Sequence, residues 1–154
     1  MNNMNNNAIS QLEQELLRIL KDEYSFYQSL YILLDKQRDY IKYNRDEHLL
    51  DLYAEIERCQ KRIQESENKI ADIKDRDPKM FRIAAIHPEV KKMVNCIVTL
   101  VKKNMGLVQE NREYVTGRQE RIKMELDELK NSRKILQYLR DVDEVAPQFV
   151  NGKK

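Results

Sequence analysis

Residues 88–140 read PEVKKMVNCIVTLVKKNMGLVQENREYVTGRQERIKMELDELKNSRKILQYLR. Proline opens this stretch at Pro88, where the first turn of a helix tolerates it, and no other follows until Pro147. The stretch therefore predicts one long helix over 89–140. Its first half is broadly apolar, with Val90, Met93, Val94, Ile97, Val98, Leu100, Val101, Met105, Leu107 and Val108. Its second half narrows to Val115, Ile122, Leu126, Leu129 and Leu136, with Tyr114, Met124, Ile135 and Leu139 nearby. Gly117 stands between the halves and costs roughly 1 kcal/mol relative to alanine in a helix interior, which predicts a bend or hinge there.

Working back toward the N-terminus, the run from Met80 to Ile86 is apolar and is expected to cap the end of a bundle. Asp77-Pro78 ends the element before it, because proline disfavours helix in the preceding residue. That element is a helix over about 46–74. Its narrow seam is Leu49, Leu52, Ile56, Cys59, Ile63, Ile70 and Ile73, broken by Ser66. Asn44 reads as a cap at its start, with Glu47 in the first turn. The first helix, about 10–43, opens on the Ser10/Glu13 capping pattern. It carries two adjacent apolar rows: Ile9, Leu12, Leu16, Ile19, Phe26, Leu30 and Leu33, then Leu20, Tyr24, Tyr27, Tyr31 and Leu34. Glu23 and Gln37 interrupt the first row at core positions. Residues 1–8 read as a disordered polar leader and 142–154 as a flexible tail, leaving one domain over 9–141.

At 1.5 Å per residue the three helices measure roughly 50, 45 and 78 Å. An up-down-up arrangement leaves roughly 30 Å of the last helix without two partners, and that is the half whose apolar face narrows. The expectation is all-α: an antiparallel three-helix bundle with a partly projecting C-terminal helix.

Composition supports this class. Charged residues make up 35% of the 154, and only 3 Gly and 3 Pro punctuate the chain, too few for the turns of a β-rich fold. With 28 basic and 26 acidic side chains the net charge is +2, which gives no overall field for nucleic acid. A face bearing Lys91, Lys92, Lys102 and Lys103 is the one local exception. No stretch has the apolar length of a membrane span, and the Asn-rich start has no secretory pattern. Cys59 and Cys96 show no metal or redox spacing. A reduced, cytoplasmic protein is expected.

No catalytic constellation emerges. His48 and His87 lack ligand-spaced partners, Gly106, Gly117 and Gly152 never cluster into a phosphate loop, and the carboxylates alternate with Lys and Arg. The expectation is a protein with no enzymatic activity, cofactor or metal. Seven of the aromatics lie between Tyr24 and Tyr53, a pattern of interface packing or of a groove for a partner helix. Asn104 and Asn111, seven apart, either fix register inside the bundle or face water. The segment 114–140 either captures a foreign segment or forms a homodimeric seam.

The layout of Ile19, Leu20, Glu23, Tyr27, Leu30, Leu33, Leu34, Gln37, Arg38 and Ile41 resembles the FlgN family of flagellar type III export chaperones. Asp46, Leu50 and Tyr53, the charged second helix, the apolar connector and the long last helix continue the likeness, which covers most of 10–140. The resemblance implies a cytosolic chaperone for the hook-associated proteins FlgK and FlgL. It would bind their disordered C-terminal segments and deliver them to the export-gate component FlhA. It also implies client binding through Tyr114, Val115, Ile122, Leu126, Leu129, Leu136 and Leu139. Tyr138 stands where members carry a gate-docking tyrosine, although Leu139-Arg140-Asp141 follows here in place of their usual glycine. The alternative is a structural coiled-coil or adaptor protein whose C-terminal helix mediates homo-oligomerisation.

Overall fold

The computed structural model describes residues 2–151, with side chains for 6–141. In chain order the elements are α1 (Asn2–Lys42), a 3-10 turn (Asp46–His48), α2 (Leu49–Arg76), α3 (Pro78–Ala85) and α4 (Pro88–Asn151). There is no strand among the described residues, so the fold is all-α, as its shortage of helix breakers predicts. The chain divides into two units, Met1–Tyr114 and Val115–Lys154.

Backbone chemistry sets the helix ends, and here three expectations change. Asn44 terminates α1 rather than starting α2. Its φ of 57° is left-handed, a conformation asparagine tolerates better than most residues. The Arg45 N–H donates to the Tyr40 carbonyl at 2.8 Å and the Asn44 N–H to that of Ile41 at 3.3 Å, closing a Schellman-type end. With Asn44 so used, α2 starts at Leu49 instead of 46, after the 3-10 turn. His48 in that turn lies against the Tyr40 ring, centroids 5.3 Å apart.

The apolar connector is itself a helix. Asp77, extended at φ −150° and ψ 90°, caps α3 by accepting from the Met80 N–H at 3.1 Å, and Pro78 fills the first helical position. Helix α3 seals one end of the bundle, as its composition suggests: Ala84 is fully buried in a cluster with Leu16, Leu20, Val90 and Ile97. His87 then starts α4, its Nδ1 accepting from the Glu89 N–H at 3.2 Å.

The third change is at the termini. Helix α1 begins at Asn2, not near Ser10, because no glycine or proline interrupts residues 2–9 and Ile9 and Leu12 are already half-buried. Helix α4 continues to Asn151, past the tail expected from 142; the side chains beyond 141 and residues 152–154 lie outside the described residues.

Within the first unit, α2 runs antiparallel to α1. Arg76 pairs with Glu15 at 3.2 Å, the Tyr27 hydroxyl donates to Glu67 at 3.4 Å, and the Cys59 thiol donates to the Phe26 carbonyl at 3.0 Å. The start of α4 runs parallel to α1: the Asn104 amide donates to the Tyr27 carbonyl at 3.1 Å and that of Asn111 to the Leu34 carbonyl at 3.0 Å. The two asparagines thus face the bundle. A second cluster, Leu30, Leu34, Leu52, Ile56, Cys59, Ile63 and Leu107, joins the three helices at their other half.

Candidate partner-binding face

Helical spacing divides the side chains of α4 among faces before any contact is considered. In residues 88–111 the row Val90, Ile97, Asn104, Asn111 repeats every seven positions and is buried against α1. Its polar members are anchored: Asn111 also donates to the Gln37 side chain at 2.9 Å, which explains the amide at that α1 core position. The Oδ1 atoms of both asparagines are buried without a hydrogen-bond partner. A neighbouring row, Val94, Val98, Met105 and Val108, remains exposed. The broad apolar half of α4 therefore buries only part of its width.

Glu23, the other polar interruption of α1, is 5% exposed. Burial, and after it the Glu67 carboxylate on α2, push its carboxyl up to about 7. Burial and the same two carboxylates push the Tyr27 phenol up to about 12.

The second unit is different in kind. Every described side chain from 119 to 141 is exposed, including its large apolar ones. Of the residues expected to bind a client, Tyr114 closes the first unit and Val115 opens the second, both half-buried. Ile122 is 46% exposed, Leu126 52%, Leu129 65% and Leu136 65%. At roughly 100° per residue these four share one stripe, with Leu139 at its margin. Tyr138 is 68% exposed and lies two positions from Leu136, which turns it to the opposite side of the helix. Met124 and Ile135, which the sequence pattern ranks only as neighbours of the stripe, are exposed on Tyr138's side. Spacing of 11 and 14 residues from Met124 to Ile135 and Tyr138 was the available signal for this second face.

This face holds apolar side chains flanked by charges of both signs. Among the described residues no cluster of His, Cys, Asp or Glu has the geometry to hold a metal ion, and no helix is long and apolar enough to cross a membrane. No protein-family model, curated protein or solved structure matches the chain.

Proposed function

We propose that the chain is a cytosolic flagellar export chaperone of the FlgN kind. It holds the disordered C-terminal segments of hook-associated proteins resembling FlgK and FlgL, and passes them to an export-gate component resembling FlhA. The observation that carries this reading is the exposed stripe Ile122, Leu126, Leu129 and Leu136, an amphipathic helical face with no partner among the described residues. A disordered client loses conformational entropy when it orders, and a continuous apolar stripe supplies burial to offset that loss. The stripe suits helix-in-groove pairing, in which the client's own apolar side chains lie along it. Tyr138 faces away from the stripe, so a gate component docked there would not compete with a client for the same side chains.

The test is Ile122→Asp with Leu129→Asp, assayed by calorimetry against the C-terminal segment of a hook-associated protein. Both residues are exposed, so the bundle is expected to keep its circular dichroism while binding is lost. Unchanged affinity in the folded double variant would refute the site. A second reading, a homodimeric coiled-coil adaptor, draws on the seven-residue spacing of Val115, Ile122, Leu129 and Leu136. Light scattering separates the two: a monomer that forms a stoichiometric complex favours the chaperone, and a dimer indifferent to the client favours the adaptor.

A further inference from the structure

An open groove of about 670 Å³ lies between α1 and α4 in the first unit. Its apolar surface comes from Tyr24, Ile86 and Leu100, and its charged surface from Lys91, Lys92 and Lys103. No carboxylate lines it. In a chain where acidic and basic side chains nearly balance, this is a local concentration of one sign beside exposed apolar surface: Ile86 is 63% exposed. The α4 contributors recur at helical spacing, so they form one strip along the helix.

We propose that this groove docks an acidic amphipathic helix of a partner protein. Aliphatic side chains of that helix would rest on Tyr24, Ile86 and Leu100, and its carboxylates would meet Lys91, Lys92 and Lys103. A groove of this volume accepts a few side chains, as helix-in-groove recognition requires. Lysine suits the role because its ammonium is a mobile point charge that follows a carboxylate without fixed geometry. Nucleic acid is the poorer fit. The groove has a single aromatic ring and no arginine, so it lacks the stacking platform on which bases are held, and its aliphatic surface would meet only the sugar–phosphate chain. The groove belongs wholly to residues 24–103, and its occupant is independent of any client on the second unit.

Cys96 provides the reporter. It lines the groove and is exposed, whereas Cys59 is buried with its thiol hydrogen-bonded. The probe is a synthetic peptide with leucine at i, i+3, i+4 and i+7 and glutamate at most other positions, titrated into the full chain at low salt. Saturable binding by anisotropy is expected, together with slower alkylation of Cys96 by a maleimide. The triple variant Lys91→Glu, Lys92→Glu, Lys103→Glu is expected to weaken binding by about tenfold or more, with affinity falling as salt rises. Should that variant unfold, Lys91→Gln with Lys103→Gln reports the same contacts with less change in charge. The Ile122→Asp, Leu129→Asp variant is expected to bind the peptide normally, which separates this surface from the proposed client face. Full affinity in the folded lysine variants, or no protection of Cys96 at saturation, would overturn the proposal. Displacement of the peptide by an oligonucleotide of higher affinity would reassign the groove to nucleic acid.

Discussion

Replacing Glu23 by glutamine isolates the energetic effect of a carboxyl placed where water barely reaches. Glu23 is 5% exposed, and its carboxyl rises from an ordinary 4.5 to about 7, first through burial and then through Glu67. A group bound more tightly to its proton in the folded than in the unfolded chain stabilises the fold below the unfolded pKa. That contribution is lost as pH climbs through the folded pKa, because ionised Glu23 must then remain buried beside another carboxylate. At 1.36 kcal/mol per pKa step the full loss is about 3 kcal/mol, most of it between pH 5 and 7. Glutamine keeps the shape and cannot ionise. The difference in unfolding free energy between Glu23→Gln and the unaltered chain is therefore expected to change by about 2 kcal/mol between pH 5 and pH 8, in favour of the variant at the higher pH. Urea unfolding followed by circular dichroism at both pH values measures it. The rest of the chain is common to both proteins, so contributions that do not involve position 23 cancel in the comparison. A difference that stays constant across this range would refute the assignment of a raised pKa to Glu23.

Asp77→Ala removes the side-chain acceptor of the Met80 N–H at the start of α3 and should cost about 1 kcal/mol, seen as a lower urea midpoint at unchanged slope, with Asp77→Ser restoring most of it. Asn111→Ala strips the donor shared by the Leu34 carbonyl and the Gln37 amide; a loss of about 2 kcal/mol is expected, and Gln37→Leu in the same background should recover part of it by removing the amide left unpaired.

What could be read from the sequence follows from the range over which each signal acts. The long helices were legible because their apolar rows repeat over many turns with few glycines or prolines to break them. Helix α3 was not, because eight residues are too few to display a period, although Asp77-Pro78 carried a cap and a first-turn proline together. Asn44 was legible as a cap but not as the end of α1, since the residue type suits either side of a boundary and only its left-handed φ decides. The exposed stripe of the second unit was legible as a narrowing of the apolar pattern. The lysine-bordered groove was only half visible: Lys91, Lys92 and Lys103 stand out as charges, but their pairing with Tyr24 depends on how α4 is rotated against α1. Burial of Glu23 was likewise beyond reach, because a lone carboxylate at a core position is equally consistent with a locally solvated seam.

The paired amides of α4 have a mechanical consequence. Their donors sit seven residues apart, and so do the carbonyls on α1 that receive them. Sliding α4 by one helical turn would carry both amides off these two acceptors at once. Sliding it by seven residues, about 10 Å, would bring one amide back onto an acceptor while the other ran past its own. Axial travel of α4 over α1 is therefore checked at two points a heptad apart, and any slide has to break both bonds together.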